Sequence, residues 1–202
     1  MQEVVAGIWR WEVEDEEGVD MSSYAFVSEA GTLVVDPAWD ADAVMRLERT
    51  PGPTLIVLST RNHVRDARRI QDRLAAPIAA SARAARDVEG VNRSLQPDEM
   101  LASGWRVIEA PGVYGGEIAL YQAELGGGTL YVGDLFVTRP AAESGDGPVA
   151  ALLPERLRSD PERLRDTLRR LSELAFETVL TGHGPPILVG GRDRVRLLAL
   201  GR

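Results

Sequence analysis

The sequence contains no cysteine, and none of its 23 basic residues is a lysine. Without cysteine there are no disulfides, thiolate metal ligands or cysteine nucleophiles. Without lysine there is no lysine Schiff base. Long apolar runs and a basic-then-apolar N-terminus are also missing, so we expect no transmembrane helix, no signal peptide and a cytoplasmic location.

The length and composition of the chain are typical of a single folded domain. Its 202 residues are 44% hydrophobic and 27% charged, which predicts a single domain over residues 1–202 with a substantial core. The net charge of -8 argues against nucleic acid or an anionic membrane as the main partner. A homo-oligomer is compatible with this composition.

Two β-rich halves are visible, each with strands followed by a helix. Leu164, Leu168, Leu171 and Leu174 lie on one face of a helix that begins with a capping box, with Ser159 as N-cap and Glu162 at N3. A Pro, Gly and Ala-rich segment over 139–149 predicts a mobile surface loop. Predicted strands cover 4–13, 24–28, 32–36, 54–59, 77–79, 106–109, 117–124, 129–132 and 178–181, and predicted helices cover 66–75 and 80–88.

Four short motifs lie at the ends of predicted strands or just after them, in a fixed order. They are Val34-Val35-Asp36, Thr60-Arg61-Asn62-His63-Val64-Arg65-Asp66, Gly133-Asp134, and Thr181-Gly182-His183-Gly184-Pro185-Pro186. Their order and spacing resemble those of the metallo-β-lactamase superfamily, and most closely its hydroxyacylglutathione-hydrolase-like branch. The resemblance covers residues 4 to 190 and implies an α/β fold, the four-layer αββα sandwich.

The resemblance also implies a chemistry that this chain carries only in part. Family members hold two zinc or iron ions, which lower the pKa of a shared water so that it becomes a nucleophile. Carried over by position, the first metal site would consist of Arg61, His63, Val113 and Asp134. The second would consist of Arg65, Asp66, Asp134 and His183.

These replacements argue against a dinuclear centre. Arginine does not give up its proton to become a ligand, and a catalytic zinc ion takes three protein ligands and a water. We therefore expect no metal, or a single zinc, iron or manganese ion held by some of His63, Asp66, Asp134 and His183. An alternative register aligns Asp66 with the family's aspartate and Ala67 with its last histidine, and it breaks the site equally.

The arginines suggest a different use of the same cavity. Arg61 or Arg65 would pair with Asp134 or Asp66 and take over the electrostatic role of a metal. Together with His63, the two guanidinium groups would bind a small anion such as a carboxylate or phosphate.

Simpler roles for the site residues are also open. His63 could cap the following helix, His183 could orient its own loop, and Asp134 could close a turn. Asp36-Pro37 predicts a structural turn.

Three functions remain at this stage. The first is a catalytically impaired homologue that binds a small anionic ligand or a partner. The second is a mononuclear metal-dependent hydrolase acting on a small ester or thioester. The third is a structural or regulatory subunit.

Overall fold

Two β-sheets face each other in the computed structural model, which describes residues 1–52, 54–115, 117–141 and 147–201. The first sheet has seven strands in sequence order: β1 Gln2–Val5, β2 Ile8–Glu14, β3 Asp20–Ser28, β4 Gly31–Val35, β5 Thr54–Leu58, β6 Ile78–Ser81 and β7 Arg93–Leu95. Strands β1 to β4 pair antiparallel, whereas β4 to β7 pair parallel.

The second sheet and a separate hairpin come from the second half of the chain. The remaining strands are β8 Arg106–Glu109, β9 Ile118–Gln122, β10 Thr129–Tyr131, β11 Val137–Arg139, β12 Val149–Ala151 and β13 Thr178–Leu180. The second sheet has the order β13-β10-β9-β8, and β10 is parallel to β13. Strands β11 and β12 form the hairpin.

Helices cover the outer face of each sheet, which gives the expected four layers. They are α1 Ala41–Leu47, α2 Ala67–Leu74, α3 Ala84–Asp87, α4 Pro161–Leu171 and α5 Gly191–Ala199. Helices α1, α2 and α3 share one apolar cluster with the first sheet, and α4 and α5 share another with the second. A third cluster lies between the sheets, where the Phe26 and Trp105 rings stack with centroids 3.9 Å apart. Among the described residues, no helix is long and apolar enough to cross a membrane.

Most predicted elements are present, with three local differences. The strand predicted over 4–13 is a hairpin of β1 and β2, because Gly7 adopts φ +76 between them. The helix predicted over 80–88 is confined to α3, since residues through Ser81 extend β6. The predicted loop over 139–149 includes ends of β11 and β12, and its residues 142–146 lie outside the described part of the chain.

The predicted N-cap of α4 is wrong by one residue. Asp160, not Ser159, accepts a hydrogen bond from the Arg163 backbone N at 3.0 Å, and Pro161 occupies the first turn. The Ser159 hydroxyl instead donates to the Val113 carbonyl at 2.9 Å. The leucine stripe is confirmed, because Leu164, Leu168 and Leu171 are buried in the core and Leu174 packs against it.

Removing this cap gives a first testable expectation. Asp160→Ala should lower the free energy of unfolding by about 1 kcal/mol, the usual cost of losing an N-cap side chain. Asp160→Asn, which keeps the accepting oxygen, should stay close to the wild type in urea unfolding. Equal losses in both variants would mean that the carboxylate charge, rather than the cap, is what matters.

Candidate metal centre

The candidate site lies where four strands end at one edge of the sandwich. Asp36 directly follows β4, and His63 follows β5 in the 3-10 turn Arg61–His63. Asp134 comes shortly after β10, and His183 shortly after β13. Since β4 is parallel to β5 and β10 to β13, the carboxyl ends of these strands meet and bring the four side chains together.

Three side chains offer ligand atoms to one point. Within the described part of the chain, His63, Asp134 and His183 each provide an atom, and all three atoms lie within 4.8 Å of one another. Asp134 Oδ1 is 3.1 Å from His63 Nε2 and 3.5 Å from His183 Nε2. Atoms bound to one zinc ion at about 2.0–2.2 Å are roughly 2.8–3.6 Å apart, so these two distances suit a single ion.

The hydrogen bonding of these atoms also fits a cation. His63 Nε2 and Asp134 Oδ1 are buried, and among the described residues neither has a hydrogen-bond partner. Their 3.1 Å separation is an ion-pair distance. Buried polar atoms rarely stay unpaired, and two imidazoles with one carboxylate form a donor set that iron(II) and zinc accept.

Asp36 fixes the orientation of His63 from behind. Its Oδ2 lies 2.7 Å from His63 Nδ1 and accepts a hydrogen bond from the Tyr131 hydroxyl at 2.5 Å. Its Oδ1 accepts from the Ser59 backbone N at 2.7 Å, and the Ser59 hydroxyl also donates to the carboxylate. Asp36 is fully buried at φ +47, so in addition to the predicted turn it holds the ring of His63.

The pKa values of the cluster follow from burial and charge. Burial alone would lower the pKa of His63, but the carboxylates of Asp134 and Asp36 outweigh it and raise the pKa to about 9. Burial would raise the pKa of Asp134, whereas His63 lowers it to about 2. Burial lowers the pKa of His183, which favours the neutral imidazole that a metal requires. His183 Nδ1 lies 2.7 Å from the Asp20 carbonyl, so its Nε2 is left to face Asp134.

Close approach of the backbone explains the glycine before His183. A Cβ on Gly182 would lie 2.5 Å from Cε1 of His63. The loop that carries His183 can therefore approach the His63 ring only with glycine at this position.

Arg65 ties three segments of the site together. Its guanidinium donates to the Ser22 and Asp36 carbonyls at 2.7 Å each and to the Gly182 carbonyl at 3.1 Å. The residue adopts φ +42, an unusual conformation for a side chain of this size. Arg65 forms no ion pair with Asp134, but its charge helps to lower the pKa of that carboxyl.

The other predicted residues lie away from the three-ligand cluster. Arg61 pairs with Asp87 at 2.7 Å on the surface. Asp66 accepts a hydrogen bond from the Trp39 backbone N at 2.8 Å and is outside the cluster. The predicted ion pair of Arg61 or Arg65 with Asp134 or Asp66 is therefore absent. Val113 is buried, at the position where the resemblance implies a histidine ligand.

Glu117 is a buried carboxylate beside the centre that was not predicted from the sequence. It is 2% exposed, its Oε1 accepts from the Thr60 hydroxyl at 3.2 Å, and its Oε2 has no partner among the described residues. Burial raises its pKa to about 7. Glu117 begins the predicted strand over 117–124, and a single acidic residue just before β9 was the only signal in the sequence.

An open cavity of about 930 Å³ borders Asp134 and His183. We call it the front cavity. Its walls are largely apolar, and its charged side chains include Arg10 and Arg139. Apolar wall residues include Val19, Val113, Tyr114, Val137, Leu153 and Leu157. A small molecule in this cavity would therefore reach two of the three ligand residues directly.

Comparisons with solved structures give the same fold. A metallo-beta-lactamase family protein, TTHA1429 from Thermus thermophilus, has a TM-score of 0.71 at 18% identity, covering 98% of this chain and 80% of that one. The metallo-beta-lactamase FIM-1 from Pseudomonas aeruginosa in the mono-zinc form has a TM-score of 0.68 at 14% identity, covering 98% and 93%. TTHA1623 in a di-iron-bound form has a TM-score of 0.61 at 22% identity, covering 92% and 98%.

The sequence comparison identifies the family. The search of curated proteins returned no significant match. The sequence pattern of the metallo-beta-lactamase superfamily, however, matches residues 5–201, nearly the whole chain. This extent agrees with the layered fold and with the motifs at the ends of β4, β5, β10 and β13. The chain therefore belongs to the metallo-β-lactamase superfamily.

Proposed function

We propose that this protein is a hydrolase with a degenerate, mononuclear metal centre. His63, Asp134 and His183 would hold one divalent ion of zinc, iron or manganese. The observation that carries the proposal is the convergence of these three residues, with ligand atoms within 4.8 Å and two of them lacking hydrogen-bond partners among the described residues. When bound, the ion supplies Lewis acidity that activates water.

Arg65 and Val113 support one ion rather than two. Arg65 holds a permanent positive charge close to Asp134 and His183, and that charge opposes a second cation. Val113 removes a donor from the first family position. Both occupancies occur on this fold, since the similar structures include a di-iron-bound and a mono-zinc form.

The chain's own residues prepare the site for hydrolysis. Asp36 orients His63, the Asp20 carbonyl orients His183, and Arg65 holds the loops of both together. The apolar front cavity suits the acyl part of a small ester or thioester. Thioester hydrolysis would agree with the hydroxyacylglutathione-hydrolase-like branch that the motifs resemble.

Hydrolysis of model substrates tests this function. Protein loaded with zinc, iron(II) or manganese should hydrolyse p-nitrophenyl esters or acyl thioesters, and a chelator should abolish the activity. His183→Ala should lower kcat/KM at least about 100-fold, because losing a ligand exceeds the 10- to 100-fold cost of losing an outer contact. Asp66→Asn is the matched control and should retain activity. Activity that survives both chelation and His183→Ala would contradict the proposal.

A second candidate is a homologue that binds a small anion and has lost catalysis. It is favoured by Arg65, a fixed cation where the family pattern has a metal-binding carboxylate. Under this alternative, metal-loaded protein would show no hydrolysis above its chelated control, while carboxylates or phosphates would bind at the centre. Loss of that anion binding in His63→Ala would support the alternative.

A further inference from the structure

A second cavity opens on the other side of Val113. It has a volume of about 300 Å³, and we call it the edge cavity. It lies where the edge strands of the two sheets, β7 and β8, face each other, flanked by α3 and the start of α4. Val113 lines both cavities, so the edge cavity is next to the candidate metal centre but contains none of its three ligands.

The rim of the edge cavity is cationic. Arg83, Arg86 and Arg163 line it, all three residues are exposed, and none forms an ion pair within the described part of the chain. Two exposed acidic residues, Glu109 and Asp160, also line it. Asp160 already caps α4, so three exposed arginines face two exposed carboxylates at the rim, and the third carboxylate of the cavity, Glu117, is buried.

The floor of the same cavity is largely apolar and includes a buried carboxylate. Leu95, Val107 and Ile118 are buried beneath the rim. Glu117 joins them at 2% exposure, with an Oε2 that has no hydrogen-bond partner among the described residues. Burial of this carboxyl raises its pKa to about 7, so about half of it is uncharged at pH 7, and its repulsion of an anion is weaker than that of an ordinary glutamate.

We propose that the edge cavity is a binding site for a small amphipathic oxyanion, a carboxylate or phosphate attached to a short apolar group. The guanidinium groups of Arg83, Arg86 and Arg163 bind the oxyanion, for which their geometry is well suited. The apolar group lies against the floor. The site is independent of metal binding and therefore of the hydrolase function proposed above.

NMR titration of the full chain with phenyl phosphate, benzoate and inorganic phosphate tests this site. Phenyl phosphate or benzoate should produce saturable shifts in backbone signals of the edge cavity. Inorganic phosphate, which lacks the apolar group, should bind more weakly. Tighter binding of phenyl phosphate than of benzoate would identify the site as a phosphate site, and the reverse would identify it as a carboxylate site. Either result supports the proposal.

Variants locate the binding. Arg163→Ala and Arg86→Ala should each weaken binding roughly 5- to 10-fold, as expected for the loss of one charge-assisted contact. Arg165→Ala is the matched control on the same helix, because Arg165 is exposed but does not line the cavity. His183→Ala should leave the affinity unchanged, which separates this site from the metal centre.

Several results would overturn the proposal. These are no saturable shifts with either organic anion, equal weakening in Arg163→Ala and Arg165→Ala, or loss of binding in His183→Ala. Binding of inorganic phosphate as tightly as phenyl phosphate would also contradict it, because the apolar floor would then contribute nothing.

Discussion

Asp36→Ala is expected to lower the free energy of unfolding by about 3–5 kcal/mol, the cost of breaking a buried ion pair by removing one partner. The substitution removes one of the two carboxylates beside buried, protonated His63 and leaves the Tyr131 hydroxyl and the Ser59 backbone N without this acceptor. Urea unfolding of metal-free protein at pH 7 measures the loss.

The matched control for this variant is Asp72→Ala. Asp72 is an exposed acidic residue on α2, and its loss should change stability by no more than about 0.5 kcal/mol.

The pKa of Asp36 lies below its ordinary value, although burial opposes this, because His63 and Arg65 stabilise the carboxylate. The difference in the free energy of unfolding between wild type and Asp36→Ala should therefore be present above about pH 4 and shrink in more acidic solution. If Asp36→Ala lost as little stability as Asp72→Ala, Asp36 would not hold His63 in place.

Glu117→Gln is expected to stabilise the protein at alkaline pH. Burial raises the pKa of this carboxyl from 4.5 to about 7. The folded state therefore holds the proton more tightly than the unfolded state, and stability falls as the pH rises from about 4.5 to 7. Glutamine removes this penalty while keeping an oxygen for the Thr60 hydroxyl. Above pH 7 the gain should approach about 3 kcal/mol, and near pH 4 it should disappear.

Thermal or urea unfolding between pH 4 and pH 8 measures this difference. Glu173→Gln, at an exposed position after α4, is the control and should follow the wild type across the range. If the curves of wild type and Glu117→Gln run parallel, the pKa of Glu117 is the same in the folded and unfolded protein, and the carboxyl is ionised at neutral pH. The edge cavity would then carry a buried negative charge, which would weaken the anion-site proposal as well.

The candidate metal ligands could be predicted from the sequence because each lies in a motif just after a strand. His63, Asp134 and His183 each follow a short apolar run, and parallel pairing of those strands brings the ends together. Local residue patterns are enough to identify such positions. The leucine face of α4 was predictable for the same reason, because a helical repeat depends only on neighbouring residues.

Contacts between distant segments could not be read from the sequence. Arg65 donates to the carbonyls of Ser22, Asp36 and Gly182, all of which are far from it in the sequence, and it adopts φ +42. Likewise, Asp36 resembles a turn residue until β4, β5 and β10 place His63, Ser59 and Tyr131 around it. The pKa of Glu117 is raised mainly by burial and to a smaller extent by the charge of Asp134, and both depend on the folded structure.

Helix ends and short helices were also poorly determined by pattern. Ser159 and Asp160 are both good N-caps, and the choice between them depends on Val113, whose carbonyl accepts the Ser159 hydroxyl. Helix α1 was not predicted, although Asp40 caps it by accepting from the Ala43 backbone N at 2.7 Å. Its seven residues are too few for a clear helical repeat.

The central claim, a mononuclear centre, is tested most directly by counting metal ions per chain. The protein is loaded with zinc, iron(II) or manganese, freed of excess metal, and analysed by elemental mass spectrometry. We expect one ion per chain in the wild type and in Asp66→Asn, and loss of that ion in His183→Ala. Two ions per chain, or none under any loading condition, would contradict the account.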